Sequence, residues 1–339
     1  MIPTPPTQGY RIAVAMSGGV DSSTLAGLLV EAGYQVVGIT SRLYDDPCNP
    51  SAKSCCTSKD IEDAKAVAKR FGFPHYVMDE TDVFYDSVID PFIKGWEAGT
   101  TPNPCVACNR HMKFDPIWDY ARNLGCQALA TGHYAQVTDG RIRRAINIEK
   151  DQAYFLWGVS PATLKHVLFP MGDMTKDEVR SHAERLGIHV AQKRESQDVC
   201  FVGKDLKAYL AANGTFKPGD IRTVDGEFVG THRGLHTLTI GQNTHGLRVL
   251  NKQGITNTVI VGEKPDVTLQ AVGLRDVVWH GPVPVGQNFL AQIRSRGSLV
   301  PVSVVEKDLL AGNFDFKPTP GQSMVLWDGD ALVGGGIVV

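Results

Sequence analysis

The sequence predicts an α/β protein whose first part is built on an open, mostly parallel sheet and whose second part is rich in β-strands. From residue 11 to about residue 210, apolar strand-like runs alternate with helix-like segments, which is typical of a parallel sheet covered by helices. After Ala211, short alternating segments stand between Gly, Pro and Asp turns, which favours one or two β domains, the last a small barrel. The length of 339 residues accommodates two or three domains.

The elements of the first part follow one another in strand and helix order. "RIAVAM" reads as a buried strand, "DSSTLAGLLVEAGY" as a helix, "QVVGIT" as a second strand, "SKDIEDAKAVAKRFG" as a second helix and "HYVMD" as a third strand. A helix, the loop "GTTPNPCVACN" and a further helix over 113–124 lead to a fourth strand, "QALATGHYA". Residues 160–187 look helical, and "TKDE" is a capping box that opens "VRSHAERLG". Ligands of such a sheet bind outside the carboxyl ends of its strands.

The second part reads as a series of short strands. They are "HTLTIGQ", "NTVIVGEK", "NFLAQIRSR", "VPVSVVEK" and "SMVLWDG". In "NFLAQIRSR", strict alternation puts Gln292, Arg294 and Arg296 on one face of the strand. Paired arginines on a strand face can grip phosphates, although the pattern by itself favours a solvated face.

Composition and charge exclude several classes of protein. No apolar run is long enough to cross a bilayer and the start does not resemble a signal sequence, so we expect a cytoplasmic protein without a membrane partner. The formal net charge of −2 gives no global sign of a nucleic-acid partner. "GRIRRA", with Arg141, Arg143 and Arg144, is a local basic candidate, but charge alone favours a solvated hairpin edge.

The stretch "SGGVDSS" between the first strand and the first helix is a candidate anion site. It matches neither the G-x-x-x-x-G-K-[ST] phosphate loop nor the G-x-G-x-x-G dinucleotide motif. A Gly-Gly turn that enters a helix lets backbone N–H groups converge, and the helix dipole favours an anion there. With no lysine in the motif, this geometry suits a leaving pyrophosphate. Turn chemistry alone equally allows a Gly-Gly turn whose Asp and Ser cap the helix.

The seven cysteines predict working thiols rather than a disulfide framework, because their number is odd and none follows position 200. Cys105 and Cys108 form a C-x-x-C on a predicted loop, which permits a zinc half-site, a redox pair or an iron–sulfur ligand pair. Cys126 reads as a buried structural thiol. Cys200 lies where a polar stretch turns apolar, with Lys193 and Arg194 nearby to lower its pKa, although a core cysteine entering a strand is an equal alternative. A loop that suits a leaving pyrophosphate, combined with these thiols, makes sulfur insertion the economical hypothesis.

With these motifs the chain resembles the tRNA-specific 2-thiouridylases of the PP-loop ATP pyrophosphatase superfamily, over nearly its whole length. The matching segments are "AMSGGVDSS", "SCCTSKDIEDAKAVAKRFGFPHYV", "GTTPNPCVACNRHMKF", "ALATGHYAQV", "KDQAYFLW", "SQDVCFVG", "HRGLHTLTIGQ" and "LWDGDALVGGGI". The resemblance implies a parallel-sheet adenine-nucleotide alpha-hydrolase-like (PP-loop) catalytic domain over 1–210. It implies a small central β-rich domain over 211–267 and a C-terminal β-barrel domain over 268–339.

Residue by residue, the resemblance implies three groups of site residues. The ATP-binding group is Ala15, Met16, Ser17, Gly18, Gly19, Val20, Asp21, Ser22, Ser41 and Gly132. The tRNA-binding group is Asn103, Pro104, His133, Lys150, Asp151, Gln152, Arg294 and Gln322. The catalytic thiols are Cys108 and Cys200. Cys200 would carry a persulfide from a sulfur-relay protein or a cysteine desulfurase, and Cys108 would attack it and close a Cys108–Cys200 disulfide.

The resemblance also implies a substrate and a reaction. The wobble uridine of tRNAs for glutamate, glutamine and lysine would be adenylated with ATP and Mg²⁺, Asp21 being able to hold Mg²⁺ among the phosphates. Sulfur would then displace AMP from the flipped base.

One departure from the family pattern concerns Cys105, where many members carry an aspartate that serves as acid/base or contacts the base. A thiol cannot act in the same way at neutral pH unless it is ionised. Cys105, Cys108 and Cys200 could instead bind three irons of a [4Fe–4S] cluster. Two further hypotheses are a PP-loop amide or amine ligase, which needs no cysteine pair, and a non-catalytic nucleotide- or tRNA-binding protein. The roles of Cys48, Cys55 and Cys56 stay open.

Overall fold

The structure is a computed structural model that describes residues 2, 4–44, 57–193, 199–203, 205–263, 269–314 and 318–339. The helices in these ranges are α1 (Val20–Glu31), α2 (Ser58–Phe71), α3 (Thr81–Phe84), α4 (Asp90–Glu97), α5 (Pro104–Cys108), α6 (Asp115–Asn123), α7 (Pro161–Leu164), α8 (Lys176–Arg185) and α9 (Leu206–Asn213). The strands are β1 (Arg11–Ala15), β2 (Gln35–Arg42), β3 (His75–Asp79), β4 (Ala128–Thr131), β5 (Gln136–Thr138), β6 (Arg141–Arg143), β7 (Val167–Leu168), β8 (Gly219–Thr223), β9 (Phe228–His232), β10 (Asn243–Thr244), β11 (Leu247–Gln253), β12 (Thr258–Gly262), β13 (Leu269–Trp279), β14 (Asn288–Gln292), β15 (Leu299–Glu306), β16 (Leu309–Phe314), β17 (Ser323–Asp328) and β18 (Ala331–Val338).

The first part of the chain folds around a parallel sheet, which confirms the predicted fold class. Its described strands run in the order β3-β2-β1-β4-β7. The chain leaves β1 toward β2 on one side and reaches β4 on the other, so the topological switch point lies between β1 and β4. In the register of that pair, Ala15 lies opposite Thr131. The loops after β1 and β4 therefore meet at one edge of the sheet.

Helices cover both faces of this sheet, and the central strand β1 is accordingly apolar on both sides. Ile12, Ala13 and Val14 are fully buried, and alternate residues join different clusters. α1 and α8 pack on the face of Ile12 and Val14, whereas α6 packs on the face of Ala13. The burial of a whole strand is what the continuous apolar run predicts.

The second part contains the predicted β-rich domains. In the described chain, one sheet has the order β10-β11-β12-β8-β9. The last strands, in the order β13-β16-β15-β14-β17-β18, close into a barrel because β13 also pairs with β18. This closed barrel of six described strands confirms the C-terminal prediction. The β5–β6 hairpin of the first part of the chain extends the barrel sheet, with Arg143 opposite Ala331.

Several element predictions were wrong. Residues 160–187 are not one helical region, because α7 ends at Leu164, Val167–Leu168 joins the parallel sheet as β7, and a 3₁₀ turn over Pro170–Asp173 precedes α8. "HTLTIGQ", residues 236–242, begins within a 3₁₀ turn over Leu235–Thr237 and forms no strand. The strand predicted over 288–296 ends at Gln292, which is buried although alternation placed it outward. Its side chain accepts from Arg144 at 2.9 Å and donates to the Ser295 carbonyl at 3.0 Å.

In the described residues, no helix is long and apolar enough to cross a membrane.

Candidate functional site

The "SGGVDSS" loop leaves β1 and enters α1 at the sheet edge beside the switch point. Gly19 caps α1 in an extended conformation, with φ −90° and ψ 169°. Gly18 has φ +67°, and a Cβ there would lie 2.1 Å from the Asp60 carbonyl oxygen, so only glycine fits. The Ser17 N–H donates to Ser22 Oγ at 3.2 Å. The loop is a compact turn at the N-terminus of a 12-residue helix, the geometry that binds phosphates.

The predicted ATP residues from distant strands lie at the same edge of the sheet. A Cβ on Gly132, which directly follows β4, would lie 3.0 Å from the Ser22 backbone nitrogen. Ser41, near the end of β2, is buried, and its Oγ has no hydrogen-bond partner in the part of the chain that the structure describes. Ala15, Met16 and Val20 lie within or beside the loop itself. A close glycine and an unsatisfied buried hydroxyl fit a nucleotide at this edge.

Two residues that sequence reasoning missed hold the carboxylate of the loop. Asp21 Oδ1 accepts hydrogen bonds from Lys176 Nζ at 2.7 Å and from the Tyr134 hydroxyl at 2.9 Å. Lys176 is buried at the first position of α8, where the capping box of Thr175 and Glu178 starts the helix. The motif contains no lysine, but the fold supplies one from 155 residues away. The capping box predicted the start of α8, but it did not indicate that Lys176 pairs with Asp21.

A second lysine supports the loop from the opposite side. Lys193 Nζ donates to the Gly18 carbonyl at 3.0 Å and to Asp60 and Asp63 at 2.6 Å each. Burial lowers the pKa of Lys193, but these two carboxylates outweigh burial and the net pKa is raised. Two carboxylates of α2 thus compensate the ammonium charge that contacts the loop. The expectation that Lys193 lowers the pKa of Cys200 stays a prediction, and the other residue invoked, Arg194, lies outside the described residues.

The C-x-x-C segment is helical, so its prediction as a loop was wrong. Asn103 caps α5, its Oδ1 accepting from the Cys105 N–H at 3.2 Å, and Pro104 occupies the first helical position. The predicted loop "GTTPNPCVACN" ends at Asn103, because a side-chain cap followed by proline at the first helical position starts a helix. The helix continues through a π-helical segment, Asn109–Phe114, into α6. Cys105 is exposed and Cys108 is buried.

Cys108 and Cys200 lie at one apolar cluster, which we call the thiol cluster. Its buried members include Phe84, Phe92, Cys108 and Phe201, and Cys200 packs against them. Phe201 meets the rings of Phe84 and Phe92 edge-on, with centroids 5.8 and 5.5 Å away. Cys200 is half-buried in a turn over 199–203, not in a strand. Packing beside Phe201 holds this turn next to α5.

The described cysteines form neither a disulfide nor a site for a single metal ion. No disulfide joins Cys105, Cys108, Cys126 or Cys200. Among the described residues, no three His, Cys, Asp or Glu side chains are grouped so as to hold a single metal ion. A [4Fe–4S] cluster binds each cysteine through a different iron, so the three-thiolate cluster stays a prediction. Burial raises the pKa of Cys126, in keeping with a structural thiol. Cys48, Cys55 and Cys56 lie outside the described residues.

The predicted tRNA-binding residues near β4 differ in their burial and in their hydrogen bonds within the protein. Asp151 is buried, which raises its pKa, and its Oδ1 accepts from the backbone N–H groups of Ala145 and Ala153. Gln152 Oε1 accepts from the Tyr134 N–H at 2.9 Å. His133 is half-buried with Nδ1 2.8 Å from Thr131 Oγ1, and burial, helped by the positive charge of Lys113, lowers its pKa to about 3. Lys150 is half-buried at the end of a 3₁₀ turn.

The predicted tRNA residues on the barrel lie in two different settings. Arg294 is exposed in the turn after β14, so it does not lie on a strand face. Gln322 donates from Nε2 to the Thr101 carbonyl at 2.6 Å. Of the basic "GRIRRA" segment, Arg143 pairs with Asp330, and the Arg144 guanidinium lies 3.9 Å from the Trp327 ring.

Protein-family models match most of the chain. A model described as the tRNA methyl transferase HUP domain matches residues 10–204, and one described as the tRNA methyl transferase PRC-barrel domain matches 207–263. A third, described as the aminomethyltransferase beta-barrel domain, matches 270–338.

Relatives that match nearly the full chain share the name tRNA-specific 2-thiouridylase. The tRNA-specific 2-thiouridylase MnmA of Leptospira biflexa serovar Patoc is 40% identical, with 97% of this chain and 93% of the relative covered. That of Magnetococcus marinus is 41% identical over 98% of this chain and 100% of the relative. A solved 4-thiouridine synthetase–RNA complex with bound ATP, 17% identical over 58% of this chain and 46% of that one, has a TM-score of 0.36, too low to carry an argument. By the identity and coverage of its relatives, the chain belongs to the tRNA-specific 2-thiouridylase family of the PP-loop superfamily.

Proposed function

We propose that this protein is an ATP-dependent tRNA-uridine 2-sulfurtransferase that thiolates the wobble uridine through an adenylated intermediate. The observation that carries the proposal is the pairing of two sites in one chain of this family. A phosphate-binding turn lies at the sheet edge, and two cysteines from distant segments share the thiol cluster. An adenylating site needs a nucleophile to displace AMP, and thiols are the nucleophiles that this chain supplies.

In the first step the uridine O2 attacks the α-phosphate of ATP, forming an O–P bond while the bond to pyrophosphate breaks. Backbone N–H groups at the start of α1 and the hydroxyls of Ser17 and Ser22 receive the phosphates. Lys176 adds positive charge beside the leaving pyrophosphate, and its hydrogen bond to Asp21 fixes its position. Mg²⁺ would arrive with the phosphates, which supply most of its ligands, and Asp21 is the carboxylate that the loop offers.

The tRNA substrate is held by both parts of the chain. The exposed guanidinium of Arg294 and the half-buried ammonium of Lys150 supply positive charge for phosphates. The flipped base enters beside Asn103 and Pro104, at the start of the helix that carries Cys108. A neutral His133 next to Gly132 suits a base or ribose contact better than a phosphate contact. We carry over the acceptors for glutamate, glutamine and lysine as part of this proposal.

The sulfur step starts from a persulfide on Cys200. Its terminal sulfur attacks C2 of the adenylated uridine, a C–S bond forms, AMP leaves and the persulfide proton is lost to solvent. The Cys108 thiolate then attacks Cys200 Sγ and breaks the S–S bond. The sulfur remains on C2, and the two cysteines are left as a disulfide. An external thiol reduces this disulfide, and a sulfur-relay protein or a cysteine desulfurase reloads Cys200.

The experiment separates adenylation from sulfur transfer with Cys108→Ser and Cys200→Ser. We expect tRNA-dependent pyrophosphate release to persist in both variants while 2-thiouridine falls to background. Cys126→Ser is the matched control, because Cys126 is a buried thiol in a different cluster. Sulfur transfer that persists in Cys200→Ser would overturn the persulfide assignment. AMP formation on an amine or carboxylate acceptor without tRNA would favour a PP-loop ligase.

The form of the sulfur is tested by anaerobic purification with assays for iron and acid-labile sulfide. An iron-free enzyme that thiolates tRNA from a persulfide donor supports the mechanism. Loss of activity together with iron would overturn it in favour of a cluster bound in an arrangement other than the one described.

A further inference from the structure

The segment that leads to the thiols is enclosed by the two β domains. Loop 98–103 connects α4 to α5, which carries Cys105 and Cys108. The barrel contacts it at the turn 319–322, and the central domain contacts it at the end of β11. The catalytic helix is thus reached through a loop that the other domains hold.

The barrel grips Thr101 by both backbone polar groups. The Thr101 N–H donates to the Pro320 carbonyl at 2.9 Å, and the Thr101 carbonyl accepts from Gln322 Nε2 at 2.6 Å. Between these contacts, Gly321 has φ +88°, and a Cβ there would lie 2.9 Å from the Thr101 nitrogen. The fit leaves room for glycine alone.

The turn 319–322, which binds Thr101, is itself hydrogen-bonded to the last strand of the barrel. The Gly321 N–H donates to the Val338 carbonyl, and the Val338 N–H donates to the Gln322 carbonyl, each at 2.9 Å. Val338 is the last residue of β18. The side chain of Gln322 therefore projects from a closed sheet, which is a rigid support.

The central domain closes the other side of the loop. A Cβ on Gly99 would lie 2.9 Å from the Lys252 carbonyl oxygen, and a Cβ on Gly254 would lie 2.6 Å from the Ala98 carbonyl. Within the catalytic domain, the Thr100 N–H and hydroxyl both donate to the Gly95 carbonyl at 2.9 Å. The loop has little freedom while these contacts persist.

We propose that Gln322 is a positioning residue that, through Thr101, holds loop 98–103 and so keeps Cys108 in its reactive place. The chain of contacts runs from Gln322 to Thr101, then through Asn103, whose side chain caps α5 at Cys105. The inference rests on the proposed role of Cys108 in sulfur transfer. It gives Gln322 a function that does not depend on touching tRNA.

The test measures thiol alkylation by N-ethylmaleimide in the full chain without tRNA, resolved by peptide mass spectrometry. Cys108 is buried, so its modification reports local opening of α5. Cys105 is exposed and reports reagent reactivity, and Cys126 is buried elsewhere and reports general unfolding. The variants are Gln322→Ala and Gln322→Glu, since Glu keeps the shape but lacks the donor. Gln322→Lys restores a donor, and Arg294→Ala is the control for a predicted tRNA contact away from the loop.

Losing one net hydrogen bond shifts such an opening equilibrium about three- to tenfold. We expect Cys108 to react faster by that factor in Gln322→Ala and Gln322→Glu, with Cys105 and Cys126 unchanged and with partial rescue in Gln322→Lys. Arg294→Ala should leave Cys108 reactivity unchanged. In turnover, Gln322→Ala should lower kcat for thiolation with little change in KM for tRNA.

Two results would overturn the proposal. Unchanged Cys108 reactivity together with weaker tRNA binding would make Gln322 an RNA contact only. A parallel rise at Cys126 would show general destabilisation. Neither reading depends on thiolation, so failure of this inference is distinguishable from failure of the proposed function, which the Cys108 and Cys200 variants test.

Discussion

Replacing Lys252 by methionine should stabilise this protein at neutral pH. Lys252 lies in β11 at the contact between the central domain and α4, and only 6% of its surface is exposed. Its ammonium has no hydrogen-bond acceptor in the described structure and lies 4.3 Å from the centre of the Trp96 ring. Burial lowers the pKa of Lys252 from 10.5 to about 8. The folded protein therefore holds a charge that the unfolded chain solvates better.

The magnitude follows from proton linkage. The lowering to about 8 corresponds to roughly 3 kcal/mol of lost stability near pH 7, where both states are protonated. The methionine variant also loses the cation–π contact with Trp96, worth about 1–2 kcal/mol in a desolvated setting. We expect Lys252→Met to raise the free energy of unfolding by about 1–2 kcal/mol at pH 7, because methionine fills a similar volume without a charge.

The sign of the pH dependence is fixed by the direction of the shift. The pKa of Lys252 is lower in the folded protein than in the unfolded chain, so burial of the side chain costs no stability above the unfolded pKa of 10.5, where both states are neutral. Stability is then lost as the pH falls from that value through about 8. Between pH 7 and pH 9, the wild-type free energy of unfolding should rise by about 1 kcal/mol from this group, and Lys252→Met should lack that rise.

Urea unfolding of the full chain, followed by far-UV circular dichroism at pH 7, 8 and 9, measures both effects. Lys217→Met is the matched control, because Lys217 lies exposed in the same part of the chain. A fall in stability of Lys252→Met at pH 7, with no change in its pH slope, would show that the ammonium has a compensating acceptor and would refute the reasoning.

Three other predictions concern the nucleotide site and the neighbouring His133. Lys176→Met should weaken binding of pyrophosphate about tenfold or more while leaving AMP affinity nearly unchanged, since Lys176 lies on the phosphate side; calorimetry on both ligands checks this. Arg185→Gln, which breaks the exposed α8–α1 ion pair with Glu31, should change neither. Gly132→Ala should weaken ATP binding, because its Cβ would lie 3.0 Å from the Ser22 nitrogen; equal ATP affinity would contradict the close approach. His133 should stay neutral down to about pH 5, because burial lowers its pKa to about 3; an NMR titration midpoint above 5 would disprove it.

Local signals predicted the parts of the site that depend on neighbouring residues. The Gly-Gly turn into α1 and the capping box of Thr175 and Glu178 were readable because each needs only three or four adjacent residues. Local signals failed where one motif supports two structures. Asn103 and Pro104 are compatible with a turn or a helix start, and in the structure they start the helix that places Cys108 in the thiol cluster.

The sequence by itself determined the α/β class, the C-terminal barrel, the Gly-Gly turn that enters α1 and the resemblance that the relatives bear out. Only the tertiary structure decided that Lys176 meets Asp21, that Cys108 and Cys200 share one cluster, and that Gln322 donates a hydrogen bond to the Thr101 carbonyl. The reason is physical. Secondary structure follows from backbone propensity and hydrophobic period over a few residues, whereas these contacts join segments from about 90 to more than 200 residues apart and exist only once the sheet order and domain packing bring them together.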